Sequence, residues 1–134
     1  MINDSPILEF FEGSSGPQLI LICGSFNQIQ EFSDFLKDIT TKGLKRVSLK
    51  ERYPNFKMIK VTDLILETVD ETDGGECYIA RSANQVFKWR NTLEGWNQTT
   101  KCVQKMVLSG GEDHCFLVDD YFNQEILFEI MLKS

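Results

Sequence analysis

The sequence lacks an excess of positive charge, a long apolar run and a secretion signal. Its 20 acidic and 14 basic side chains give a net charge of −6, which argues against general affinity for nucleic acid or an anionic membrane, because lysine and arginine drive phosphate binding. Nowhere do eighteen consecutive apolar residues occur, the length that a membrane-spanning helix needs. The first residues carry no basic stretch followed by an apolar one, so we expect a cytoplasmic protein.

The sequence also lacks closely spaced cysteines and metal-binding motifs. Cys23, Cys77, Cys102 and Cys115 form no C-x-x-C pair, and in a reducing cytoplasm such residues are usually small buried side chains. We therefore expect free thiols. The acidic residues around the single histidine match neither a calcium loop nor a zinc spacing, so we expect no metal and no cofactor.

What is present is a globular composition. The chain has 42% hydrophobic and 25% charged residues, which excludes disorder and a fibrous repeat. A length of 134 residues is enough to form one hydrophobic core without disulfide bonds or a structural metal ion. No repeat, low-complexity segment or linker divides the chain, so residues 1–134 are predicted to form a single domain.

The first half of the chain predicts a hairpin and a helix. Apolar runs at residues 7–12 and 19–23 flank a cluster of glycine, serine and proline, which indicates a β-hairpin with a loop longer than two residues. Ser25, with Gln28 three residues later, predicts the start of a helix whose apolar side chains recur at helical spacing up to Gly43.

The next segments are less uniform. The pattern weakens over residues 44–52, although residues 46–50 alternate as a half-exposed strand does. Residues 56–69 fit one helical face as well as two strand phases. We favour a strand there, because the segment is rich in β-branched residues and because residues 70–75 resemble a hairpin connection into a further strand at 76–81.

The last third predicts two helices and a second hairpin. Ser82, again with a glutamine three residues on, predicts a helix through Leu93, and Gly95 is expected to separate it from another helix that begins at residue 97 or 98. Apolar runs at 114–118 and 125–132 predict the final hairpin. Together these elements predict an α+β fold with an antiparallel β-sheet built from hairpins and covered by about three helices.

Two side chains are candidates for catalysis. His114 is the only histidine, and Cys23 lies at a strand-to-helix turn, where a helix N-terminus could lower the pKa of its thiol. Adjacent strand residues point to opposite faces, so His114 and Cys115 should not meet, and nothing near Cys23 in sequence supplies a base. We expect no catalytic residue; a small enzyme that uses Cys23 or His114 is the alternative.

Charge is arranged in blocks along the chain. Residues 37–60 hold eight basic and two acidic side chains, whereas residues 61–80 and 112–129 each hold six acidic and no basic ones. Both acidic segments centre on predicted loops, which are exposed, and could bind a basic partner with aromatic anchors nearby. The alternative is that these charges only keep the protein soluble. The candidate partner-binding residues are Asp70, Glu71, Asp73, Glu76, Trp96, Glu112, Asp113, Asp119, Asp120 and Tyr121.

The order of elements resembles a known family. An apolar strand, Gly24-Ser25 and a helix follow one another in residues 19–36, and residues 114–120 begin the last hairpin. In this order the chain resembles small acidic immunity proteins of bacterial polymorphic-toxin and contact-dependent growth inhibition systems. It differs from them in its long basic middle segment. The resemblance implies a non-enzymatic cytoplasmic protein that blocks a toxin domain, often a nuclease, whose basic surface an acidic one would complement. A monomer or a homodimer is expected, with a homodimeric adaptor as a further alternative.

Overall fold

Residues 5–13, 16–70, 78–109, 114–118 and 126–132 are described by the structure, a computed structural model. Three helices and nine strands lie within these residues. In chain order they are β1 (Ile7–Gly13), β2 (Gly16–Cys23), α1 (Phe26–Thr41), β3 (Arg46–Ser48), α2 (Leu49–Arg52), β4 (Lys57–Ile59), β5 (Asp63–Val69), β6 (Tyr78–Ser82), β7 (Val86–Thr92), α3 (Leu93–Ser109), β8 (His114–Val118) and β9 (Leu127–Leu132). No helix in this part of the chain is long and apolar enough to cross a membrane.

The strands form two mixed sheets. The five-stranded sheet has the order β4-β1-β2-β9-β8, and the four-stranded sheet has the order β3-β5-β7-β6. The predicted hairpins β1–β2 and β8–β9 are antiparallel, but β2 lies parallel to β9, β1 to β4 and β5 to β7. The α+β class is confirmed. A purely antiparallel sheet is wrong, because parallel pairing of strands far apart in the chain leaves no turn signal in the sequence.

Aromatic side chains join the two sheets and the helices. Phe128 of β9 stacks on Trp89 of β7, with ring centroids 4.6 Å apart, and on Phe32 of α1, with centroids 6.1 Å apart. Phe10 of β1 contacts Phe87 of β7 with centroids 5.1 Å apart. Among the described residues the buried apolar side chains of all three helices and of the inner faces of both sheets form one cluster, so the two inner faces share a core.

Helix α1 begins as its sequence predicts. The Ser25 hydroxyl oxygen accepts a hydrogen bond from the Gln28 backbone N–H at 3.4 Å, and the Gln28 side chain accepts one from the Gly24 N–H at 2.7 Å. Its buried residues recur every three or four positions, which places one face of the helix on the core. Ser25 therefore acts as a helix cap.

Strand β7 stands where a helix was predicted over residues 82–93. Its buried side chains alternate, with Phe87, Trp89 and Asn91 directed into the protein. The strand pairs with β5 on one side and β6 on the other, and these hydrogen-bonded neighbours decide its conformation, since helix propensity is a weak preference that tertiary pairing overrides.

The capping signal at Ser82 belongs to a turn. Its hydroxyl donates to the Val86 carbonyl oxygen at 2.9 Å, and a 3-10 turn (Ala83–Gln85) reverses the chain between β6 and β7. Asn84 and Gln85 both adopt positive φ, at 65° and 59°, which a continuous right-handed helix excludes.

Gly95 lies inside helix α3 and does not interrupt it. A Cβ atom at this position would overlap the Asn91 side chain, so any larger residue would force that side chain to move. The Gly95 N–H donates to the Thr92 hydroxyl oxygen at 3.0 Å. The predicted break is therefore wrong, and α3 begins at Leu93.

The other strands agree more closely with the sequence. Strands β4 and β5 lie within residues 56–69, which confirms strand over helix there. The predicted hairpin from this segment into β6 is wrong, because β7 lies between β5 and β6 in the sheet. Pairing of β1 with β2 extends to Gly13 and Gly16, so only two residues separate the paired strands, fewer than the loop predicted. Strand β3 ends at Ser48, whose hydroxyl oxygen caps α2 by accepting the Glu51 N–H at 3.1 Å.

Candidate functional site

A groove of about 680 Å³ lies where β5 ends, between the α1–β3 connection and the first turns of α3. Its volume is in the range of about 300–1,000 Å³ that is typical of ligand-binding pockets. Three segments of the chain form its walls. They contribute Gly43, Leu44 and Lys45; Thr68, Val69 and Asp70; and Leu93, Glu94 and Asn97.

Thr68 holds the three walls of the groove together. Its hydroxyl donates to the Leu44 carbonyl oxygen at 3.0 Å, and its backbone N–H donates to the Lys45 carbonyl oxygen at 2.9 Å. The indole N–H of Trp96 donates to the Thr68 hydroxyl oxygen at 3.1 Å. These bonds fix the walls before any partner arrives.

Trp96 lies in the core. Its side chain is 0% exposed and packs edge-on against Trp89, with ring centroids 5.0 Å apart. As a predicted surface anchor Trp96 is therefore wrong, because α3 turns the indole inward, where its N–H finds Thr68. It is a positioning residue for the groove and does not contact a partner itself.

The groove combines carboxylates with an apolar side chain at its rim. Asp70 and Glu94 are both exposed, and Leu93 beside them is 48% exposed. Lys45 contributes one positive charge. Two carboxylates around an exposed leucine suit a cationic side chain with an apolar stem. Glu94 was not predicted: only its place in the first turn of α3 signals it, and the fold brings it to Asp70.

Most of the predicted acidic surface lies outside the described residues. Asp70 is the one predicted acidic residue within them, and it lines the groove. Whether the other acidic residues converge with it stays a prediction. The predicted partner-binding residues outside the described residues are the acidic Glu71, Asp73, Glu76, Glu112, Asp113, Asp119 and Asp120 and the aromatic Tyr121.

The two catalytic candidates occupy different places in the five-stranded sheet. Cys23 ends β2 with 0% exposure, and burial, with a smaller contribution from the Glu31 carboxylate, raises the pKa of its thiol to about 12. The thiolate is the nucleophilic form, so this thiol is protonated at neutral pH and the helix N-terminus does not activate it. His114 begins β8, opposite Met131 in the register.

Cys23 and Cys102 are free thiols, as predicted, while Cys77 lies outside the described residues. Within the described ranges no group of three or more histidine, cysteine, aspartate or glutamate residues could hold a metal ion.

The basic segment of residues 37–60 is partly neutralised by ion pairs. Lys42 and Arg52 both lie near the Asp38 carboxylate, at 3.6 and 3.2 Å, and Arg46 lies 3.8 Å from Glu67. The segment spans the end of α1, then β3, α2 and β4, so its charges are spread over several elements.

No protein-family model, curated protein or solved structure matches this chain. The groove and the faces of the two sheets are therefore the features from which a function can be argued.

Proposed function

We propose that this protein is an immunity protein that binds and neutralises a bacterial toxin domain through an acidic surface. The observation that carries the proposal is the groove, in which Asp70 and Glu94 lie beside the exposed Leu93. Asp70 is also the first of four acidic residues in segment 70–76. The proposed partner is the toxin domain, most simply a nuclease, with a basic surface.

Electrostatic complementarity explains why an acidic surface suits this task. A nuclease needs a basic cleft to bind phosphates, and the same cleft attracts carboxylates. Steering between opposite charges raises association rates from about 10⁵–10⁶ to about 10⁸–10⁹ M⁻¹s⁻¹ at low salt. Capture of a toxin before it reaches nucleic acid depends on this rate. Leu93 would add a short-range apolar contact.

The fixed walls of the groove favour tight binding. Thr68 ties the α1–β3 connection to β5, and Trp96 ties α3 to the same hydroxyl. A surface that is already ordered loses little conformational entropy when it binds. We therefore expect partner affinity to depend on Asp70 and Glu94 without rearrangement of the groove.

The test measures association with the toxin domain encoded by the neighbouring gene. The double variant Asp70→Asn, Glu94→Gln should bind about tenfold more slowly in about 0.1 M salt and equally fast in about 1 M salt, since the Debye length falls from ~10 to ~3 Å. Protection of cells that express the toxin should fall in parallel.

The matched control removes two carboxylates elsewhere. Asp34 on α1 and Glu51 on α2 are both exposed, and Asp34→Asn with Glu51→Gln changes the net charge by the same amount. This control should bind as the wild type does. An equal loss in both double variants would mean that only net charge matters, and absence of binding at either salt concentration would refute the proposed function.

A further inference from the structure

The outer face of the five-stranded sheet is mostly apolar, with a few charged residues among its apolar ones. Side chains alternate along each strand, and Leu8, Leu19 and Phe128 belong to the inner core cluster. Their neighbours on the other face include Ile7, Phe11, Ile20, Ile22, Leu127 and Met131, of which Ile20 is 7% exposed and the other five are partly exposed.

Among the described residues nothing from the core covers this face. Its side chains neither belong to the core cluster nor pack against it, whereas the buried apolar residues of α1, α2 and α3 all belong to that cluster. A sheet that is apolar on both faces needs cover on both. Strands β1, β2 and β9 are seven, eight and six residues long and β4 is three. At about 3.3 Å per residue and about 4.8 Å between strands they give a face of about 400 Å², within the size of patches that on monomers are often functional.

The strand register arranges the face in rows across the sheet. One row has a lysine at its edge and apolar residues after it, and the next has two carboxylates separated by Ile20. The first row is Lys57, Ile7, Ile22 and Met131; the second is Ile59, Glu9, Ile20 and Glu129.

The charges on this face indicate its partner. Glu129 is buried, at 8% exposure, so the surface charges of the two rows are those of Glu9 and Lys57, which balance in a chain whose net charge is −6. A strongly basic partner would need a more acidic face. A second copy of the chain supplies the same apolar residues together with charges of both signs, each within reach of its opposite.

We propose that two copies of the chain pack outer face to outer face, about a two-fold axis that crosses the strands between these two rows. Ile22 of each copy then contacts Ile20 of the other, and Lys57 lies one strand spacing, about 4.8 Å, to the side of Glu9 of the other copy. An axis along β2 would instead set Lys57 three strand spacings, about 14 Å, to the side of Glu9 of the second copy, too far for an ion pair.

The dimer is expected to be reversible. A patch of about 400 Å² is smaller than the ~800 Å² that each partner contributes to a standard interface, so monomer and dimer exchange with concentration. Residues that line the groove lie on β5, α3 and the α1–β3 connection, and the face shares none of them. The dimer therefore does not depend on the proposed toxin binding.

Sedimentation velocity of the full chain over a range of concentrations tests the dimer. We expect a species of twice 15.4 kDa that dissociates on dilution. Ile22→Glu should weaken it by at least about a hundredfold, because it places an unpaired carboxylate of each copy in the apolar centre. Leu108→Glu, at a position on α3 that is 84% exposed, is the matched control and should leave the dimer unchanged.

Charge exchange tests the proposed axis. Glu9→Lys and Lys57→Glu should each weaken the dimer by about fivefold, and the double variant should restore it, because it returns an opposite pair to the same contact. A double variant no stronger than either single one would overturn this axis.

Two further results would overturn the dimer itself. One is that the wild-type chain is a monomer at every concentration. If Ile22→Glu then abolishes toxin binding, the outer face binds the toxin and not a second copy. The other is a dimer that Ile22→Glu leaves intact while circular dichroism shows the wild-type fold. If Ile22→Glu fails to fold, Ile22→Thr replaces it and should still weaken the dimer.

Discussion

The outer faces of the two sheets differ sharply, although their inner faces share one core. On the four-stranded sheet one row across the strands holds Arg46, Glu67, Arg90 and Tyr78. Glu67 lies 3.8 Å from Arg46 and 3.6 Å from Arg90, and Arg90 donates to the Tyr78 hydroxyl oxygen at 3.1 Å. The five-stranded sheet carries isoleucines in its corresponding central positions.

The hydration of the two kinds of side chain explains why the two outer faces differ. A row of charges and hydroxyls is well solvated, so the four-stranded sheet needs no further cover, whereas an apolar face gains free energy when it is removed from water, about 25 cal/mol per Å². Each outer face has one nearly buried isoleucine outside the core cluster, Ile20 at 7% exposure and Ile65 at 8%. These two residues allow the faces to be compared directly.

The largest effect should come from breaking the contact between the inner faces. Trp89→Ala removes the ring that stacks on Phe128 at 4.6 Å and contacts Trp96 at 5.0 Å. We expect the free energy of unfolding, measured in urea, to fall by about 3–5 kcal/mol. Trp89→Phe keeps an aromatic ring and should lose less. A loss below about 1 kcal/mol for Trp89→Ala would contradict a core shared by both sheets.

A matched pair of substitutions sharpens the comparison of the outer faces. Ile20→Thr and Ile65→Thr each replace a buried ethyl group by a hydroxyl, so each should lower stability by about 2 kcal/mol. If the five-stranded sheet is covered by a second copy, the loss in melting temperature for Ile20→Thr increases with protein concentration, because dimers stabilise the fold by mass action. The loss for Ile65→Thr should be the same at every concentration.

Scanning calorimetry at low and high protein concentration measures both losses. Equal behaviour of the two variants would mean that the outer faces do not differ in their partners. The two residues have the same type and the same burial, so the difference between them isolates the effect of cover.

Local signals in the sequence predicted the first and last hairpins and α1 well, whereas the hairpin predicted across residues 70–75 is wrong, because β7 lies between β5 and β6. Ser25 and its apolar spacing defined the helix start, and the glycine-rich turn defined β1 and β2, because these features act over a few residues. The pairing of β2 with β9 could not be predicted in this way, since it joins residues more than a hundred positions apart. The charged row on the four-stranded sheet could not be predicted for the same reason, because its residues come from four strands that are separated in the sequence.

The groove was only partly predictable. Asp70 was predicted from the acidic block. Glu94 comes to line the same groove because β5 pairs in parallel with β7 and the chain turns from β7 into α3. Trp96 was misplaced for a related reason: the sequence predicted a helix break at Gly95 and an aromatic anchor near the acidic segments, whereas the helix continues through Gly95 and buries the indole. Contacts between distant segments decide both outcomes.

The smallest effect should come from the charged row itself. Glu67→Gln keeps the shape of the side chain and removes both ion pairs, which join partly exposed groups. Such pairs contribute about 0.2–1 kcal/mol in dilute salt, and screening should remove most of the difference in about 1 M salt. Glu51→Gln on α2 is the control. Urea unfolding at the two salt concentrations measures the free energy of unfolding of each variant. If Glu67→Gln lowers that free energy equally at both salt concentrations, Glu67 stabilises the outer face by packing and not by charge.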